Sequence, residues 1–358
     1  MTTPAREAFD EALKHERQGD QEAALSAYLN ALEADPDDIE IAYRTATALL
    51  RAGYLEEAAS QLRRIVFVEP DHLQARANLG NCQLLLDDLG NAESNFEGVL
   101  AASPDNHNAL YGLATVRLRQ DKTQSALAPA ERLMALLPEN APTLTLYAQI
   151  TAKDPQASRA AAAYHKALGL DPSYVPALTG LSELLIRRKR YDEALTYADK
   201  ALKLSPESAD LHKLVAEAHF AAGNLDFAKS AYWAALTRAT DDKTTILTSL
   251  SVVCRKLGDG EAALVHAHRA FEKAPDRRDA GNALGAALKA LGHPKDARAV
   301  LTATAQSKPL DEALTTRIGR LAAEIRLAAS SAPGQDTRDD PAEQVGNPTG
   351  SPDGPGDI

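Results

Sequence analysis

Residues 191–206 read YDEALTYADKALKLSP, and residues 157–172 read ASRAAAAYHKALGLDP. The two stretches lie 34 residues apart. They share Ala160 with Ala194, the Lys-Ala-Leu triplets at 166–168 and 200–202, and a closing proline at Pro172 and Pro206. Outward from there, proline recurs at Pro36, Pro70, Pro104 and Pro138, and again at Pro275 and Pro309. The step from Pro206 to Pro275 is two periods plus one residue. A fixed period of this length marks a solenoid built from one repeated supersecondary unit.

Numbering each unit 1 to 34 with proline at 32 gives units 5–38, 39–72, 73–106, 107–140, 141–174, 175–208, 209–242, 244–277 and 278–311. Position 20 is alanine in all nine, from Ala24 to Ala297. Position 8 is small throughout: Ala12, Ala46, Gly80, Ala114, Ala148, Ser182, Ala216, Ser251 and Gly285. Rows of small residues predict a close crossing of two helices, where a larger side chain would overpack the contact. Positions 4, 7, 8 and 11 carry the apolar face of a first helix, helix A. Positions 20, 24, 27 and 28 carry that of a second, helix B. Glycine marks the turn between them at Gly19, Gly53, Gly223, Gly258 and Gly292. Proline at 32 ends helix B because it has no N–H to donate. A single hairpin cannot bury both faces; stacking on its neighbours does.

Small at 8, Gly near 15, Ala at 20, an aromatic at 24 (Tyr28, Phe96, Tyr164, Tyr232), mostly Ala at 27 and Pro at 32 resemble the tetratricopeptide repeat (TPR). The resemblance covers residues 5–311. It implies an all-α, right-handed TPR solenoid, read as one domain over residues 1–330. There are departures. Thr240 replaces the proline of the seventh unit, Lys243 reads as an insertion, Pro155 occupies the turn of the fifth unit, and position 4 lacks tryptophan. The sole tryptophan, Trp233, stands at position 25. Residues 312–330 continue the pattern as a capping helix. Leu314, Ile318, Leu321 and Ile325 form its apolar face, and Arg317, Arg320, Glu324 and Arg326 its outer one.

The net charge is −11. Residues 331–358 hold six acids, one base, five prolines and five glycines, the composition of a disordered acidic tail. The acidic balance argues against a nucleic-acid partner, which calls for a basic stripe. Residues 1–30 show no secretory pattern, and no stretch approaches the about 18 apolar residues of a membrane span. Cys82 and Cys254 read as buried small hydrophobes of a reducing compartment. A cytoplasmic location is the expectation.

Phosphate-binding loops, His-Glu-x-x-His, nucleophile elbows and Cys-x-x-Cys pairs are missing. His266 and His268 stand two apart, on different sides of a helix, and His212 and His219 read as surface residues. No enzymatic activity, cofactor or metal is expected.

The resemblance further implies that positions 2, 5, 9, 12 and 13 of helix A line a concave groove. Position 12 is apolar at Leu50, Leu84, Leu118, Ala152, Ile186 and Phe220. Position 13 is basic at Arg17, Arg51, Arg119, Lys153, Arg187 and Lys256. Asn78 and Asn81 form the nearest thing to a polar ladder for a peptide backbone. An apolar stripe beside a basic rail suits a peptide with hydrophobic anchors and acidic side chains. The blander alternatives are inter-repeat packing for the apolar row and, for the bases, the attraction of a helix C-terminus for positive charge, about 0.3–1 kcal/mol. The carboxylate clamp of TPR co-chaperones is not matched: the window from Lys213 continues with Glu217, Ser249, Asp279 and Ala283. The expectation is a non-catalytic scaffold binding protein segments. The alternatives are a recognition subunit for a separate enzyme, such as a glycosyltransferase, or a self-assembling scaffold, hence a homo-oligomer.

Overall fold

A computed structural model describes residues 2–153, 158–241 and 243–331. Over these residues the chain forms nineteen α-helices and no strand. They run as hairpins: α1 (Thr3–Gln18) with α2 (Gln21–Ala34), α3 (Ile39–Ala52) with α4 (Leu55–Val68), α5 (Leu73–Leu85) with α6 (Leu89–Ala102), and α7 (His107–Arg119) with α8 (Thr123–Leu136). Then come α9 (Ala141–Thr151) with α10 (Ser158–Leu170), α11 (Val175–Arg187) with α12 (Tyr191–Leu204), and α13 (Ala209–Ala222) with α14 (Leu225–Arg238). The last pairs are α15 (Lys243–Lys256) with α16 (Gly260–Lys273) and α17 (Arg278–Ala290) with α18 (Pro294–Ala305); α19 (Glu312–Ser331) follows alone. The chain divides into two compact units, Met1–Gly180 and Leu181–Ile358, and the division falls inside α11.

The 34-residue register sets the helix ends. Position 34 caps helix A: Asp38, Asn106, Asn140 and Ser208 each accept a hydrogen bond from the third backbone N–H beyond them. Position 16 does the same for helix B at Asp20, Asp88 and Asp259. Position 15 is left-handed in eight units. Glycine fills it in five, but Asp87, Asp121 and Lys189 adopt it with φ of 62°, 57° and 59°. Pro155 of the fifth unit lies outside the described residues, and α9 before it stops early, at Thr151. The extra residue Lys243 is absorbed as the first residue of α15.

A left-handed conformation strains a side chain that has a Cβ. Lys189→Gly is therefore expected to raise stability by roughly 1 kcal/mol in urea unfolding. An unchanged midpoint would mean that this turn holds no strain.

In the N-terminal unit, successive hairpins bury one face into each neighbour. Phe9, Tyr28 and Ile41 fill the core of α1–α3; Leu49, Leu62, Ile65 and Leu79 fill that of α3–α5. Phe96 on α6 is fully buried between Gly80 and Gly112. A Cβ on Gly112 would stand 2.2 Å from Phe96 Cζ, so only glycine admits the ring there. Pro129 interrupts α8 from within. Proline cannot donate to the carbonyl four residues back, that of Ser125, which accepts instead from Arg117 Nη1 at 3.2 Å. The same guanidinium holds Glu93 at 2.9 Å and Glu97 at 2.6 Å.

In the C-terminal unit the crossing of helices A and B is tied by a repeated bond. Ser251 Oγ, at position 8, donates to the carbonyl of Ala263, at position 20, over 2.8 Å; Ser182 does the same to Ala194 over 2.9 Å. The position-20 alanines are at most 4% exposed across both units, as a close crossing requires. Leu314, Ile318 and Ala322 of α19 are buried, with Leu321 and Ile325 packed against the same core. Arg317, Arg320, Glu324 and Arg326 face solvent, so this helix caps the core as its pattern predicts. His266 and His268 are both buried despite their spacing of two. Helix α16 is covered by α15 and α17 and also by α19, which leaves it no wet side there. The histidine pair thus packs inside the unit. The acidic tail beyond Ser331 lies outside the described residues.

Candidate functional site

The expected groove residues are distributed between the two units, and each unit is described by itself. In the N-terminal unit, Leu50, Leu84 and Leu118 are half-buried and Ala152 is buried. Leu50 packs on the core of α3–α5 and Leu84 on that of α5–α7. The apolar row therefore contributes to inter-repeat packing as well as to the surface.

The basic row is exposed, and Arg51, Arg119 and Lys153 of it are engaged. Arg51 Nη1 donates to Glu16 Oε1 at 2.7 Å. Arg119 donates to the Leu84 carbonyl at 2.7 Å and to Asp87 at 3.0 Å. Lys153 pairs with Asp121. Each base reaches back to the preceding hairpin, and two of the three acids are the left-handed aspartates of position 15. The bases hold the Glu16 and Asp121 carboxyls below the usual carboxylate range; for Glu16 the hydrogen bond from the buried Tyr28 hydroxyl is the larger cause. A base at 13 and an acid at 15 of the unit before, 32 residues apart, is a signal that the row read by itself does not carry.

Position 6 and position 9 make the lateral contacts. Asn78 Nδ2 donates to the Tyr43 hydroxyl at 3.3 Å, and Asn81 Nδ2 donates to Asn108 Oδ1 at 3.2 Å. Helices α3, α5 and α7 are thus linked across their A faces by amides and a phenol. Thr47 and Thr115 bond back to their own helix, to the carbonyls of Tyr43 and Tyr111. Tyr111 is 38% exposed beside this row. Tyr174 lies close enough to interact electrostatically with it; burial raises both phenols above their ordinary pKa.

Sequence reasoning missed a cavity of about 340 Å³ lined by Glu16, Leu25, Tyr28, Ala48, Arg51 and Tyr54. Its signal was legible: Glu16 occupies position 12, where the middle units are apolar. It accepts from Tyr28 at 2.8 Å as well as from Arg51.

In the C-terminal unit, Ile186 is half-buried and Arg187 exposed. Phe220 packs on the core of α13–α17, with Lys256 Nζ 4.5 Å above its ring. Position 9 carries Glu183 and Glu217. Burial raises both carboxyls, opposed by Arg187 at Glu183 and by Lys213 at Glu217, 3.7 Å away. Among the described residues no three His, Cys, Asp or Glu side chains converge as metal ligands, and no helix is long and apolar enough to cross a membrane.

Hairpins of one length in register, with an A face linked laterally by side-chain amides, define an α-helical repeat protein. Models of the tetratricopeptide repeat match residues 9–66, 43–94, 86–141 and 156–209, and a further one matches 185–244. These matches span more than half of the chain, which therefore belongs to the tetratricopeptide repeat family. The eighth and ninth hairpins lie beyond the matched segments and keep the same register. A TPR protein from Parabacteroides merdae ATCC 43184 has a similar fold, with a TM-score of 0.60 at 14% identity over 70% of this chain and 99% of that one. The APC/C hetero-tetramer Cut9–Hcn1 gives 0.62 at 16% identity over 78% of this chain and 55% of that one, so this chain spans about half its length. Both likenesses concern the fold. No curated protein matches the chain significantly.

Proposed function

We propose that this chain is a non-catalytic interaction scaffold that holds an extended protein segment on the helix-A face of its N-terminal unit. The row of Asn78, Asn81 and Asn108 carries this reading. An amide offers both a donor and an acceptor, which is what the alternating N–H and C=O groups of an extended backbone require. Leu84, Leu118 and Tyr111 flank the row and supply apolar contact. The basic row contributes less than its charge promises, because an acidic segment must displace Glu16, Asp87 and Asp121 from their partners.

Panning a random dodecapeptide display library on the full chain tests this. Recovered peptides are expected to bind the Asn78→Ala, Asn108→Ala double variant about tenfold more weakly, two lost hydrogen bonds at about 0.5–1.5 kcal/mol each. The helical spectrum should be retained. Equal affinity for the variant, or no recovered peptide, would overturn the site. Charge substitutions at Leu84 or Phe220 are poor probes, since both side chains pack on cores.

A further inference from the structure

We propose that the segment held by the N-terminal unit is cationic, carrying lysine or arginine that it lays against Tyr111, Tyr174 and Tyr43. This rests on the reading that the A face of that unit holds a protein segment, and it reverses the charge that the basic row by itself implies.

Three observations converge. First, the acidity of the chain is not evenly spread. Residues 1–180 hold 25 acidic and 15 basic residues, whereas residues 181–331 hold 19 acidic and 23 basic. The N-terminal unit is therefore at −10 and the C-terminal one, to residue 331, at +4. A net charge of that size draws oppositely charged ligands and repels like ones before contact. Second, three of the four bases that the row places on this unit are spoken for. Arg51, Arg119 and Lys153 each hold a carboxylate of the hairpin before. An acidic ligand would exchange one ion pair for another; a basic ligand leaves all three intact. Third, aromatic rings flank the amides: Tyr43 on α3, its ring 4.9 Å from that of His72, Tyr111 on α7, and Tyr174 before α11. Tyr111 is 38% exposed, and Tyr43 and Tyr174 are half-buried. A ring face attracts a cation, more strongly as water is excluded, while the flexible stem of lysine or arginine covers apolar surface. Neutral amides take the backbone, tyrosines take the charged side chains, and the net negative charge of the unit supplies the long-range attraction.

The same dodecapeptide panning decides the sign. Recovered peptides are expected to carry at least about twice as many Lys and Arg as Asp and Glu, and their affinity should fall with salt as surface charges are screened. Tyr111→Leu with Tyr174→Leu should weaken a recovered peptide about tenfold and its Lys→Gln counterpart less than about twofold. The charge of the recovered pool and its salt dependence are read on the unaltered chain, so they stand even if the tyrosine variant does not fold. A neutral or acidic pool that still depends on Asn78 and Asn108 would overturn the charge inference and leave the scaffold reading in place. Failure to recover any peptide would overturn both.

Discussion

Gly112→Ala is expected to melt roughly 6–12 °C below the parent, from overpacking of about 3 kcal/mol in a unit of this size. The sign is diagnostic. In a helix interior, alanine normally improves on glycine by about 1 kcal/mol. Here the added Cβ would meet three ring atoms of Phe96 at 2.2–2.6 Å, and the ring is fully buried with Gly80 on its other side. Gly90, at the start of α6, has nothing within 4 Å of its Cβ position. Gly90→Ala should therefore move the midpoint up. Phe96→Leu in the Gly112→Ala background should recover part of the loss by vacating the collision. If Gly112→Ala melts with the parent, the ring is not wedged against this glycine. Because a solenoid is stabilised by nearest-neighbour contacts, lost hydrogen-exchange protection should concentrate in α5–α8.

Arg117→Ala is expected to cost about 2–4 kcal/mol, measured by urea unfolding. Arg117 and Glu93 are both largely buried, at 19% and 17% side-chain exposure; without the arginine, Glu93 keeps only Lys122, at 3.0 Å, and Glu97 loses its partner. The guanidinium has a second duty, because Pro129 leaves the Ser125 carbonyl without its helical donor. Restoring that donor with Pro129→Ala should make the arginine less necessary. In a double-mutant cycle the cost of Arg117→Ala should shrink by about 0.5–1.5 kcal/mol. Strict additivity would show that Arg117 does not stand in for the missing backbone N–H.

The alanines of position 20 and the small residues of position 8 placed the hairpin crossings correctly, because steric limits at a close contact are written in the residues themselves. The packing of α19 was legible for a different reason, the helical spacing of Leu314, Ile318, Leu321 and Ile325. Other features need the stacked geometry. Asp87 and Asp121 tolerate a left-handed backbone without requiring it, and Lys189 does not favour it, so only the glycine turns could be read directly. The basic row was visible as charge, but its partners lie 32 or 35 residues upstream, across the contact between one hairpin and the next. The wedge between Phe96 and Gly112 also crosses that boundary. His266 and His268 stand on different sides of their helix, and their burial was not legible because it takes α15, α17 and α19 together to cover both sides.

Each compact unit contains one cysteine, Cys82 in the first and Cys254 in the second, and both are buried with free thiols. Burial pushes each thiol up to about 11, so almost no thiolate exists in the native state at neutral pH. Alkylating reagents attack the thiolate, and these two sulfurs meet reagent only when the surrounding helices part. The chain thus carries a separate chemical clock in each half. Mass spectrometry of the two labelled peptides would time the opening of one unit against the other in a single sample, with no engineered probe.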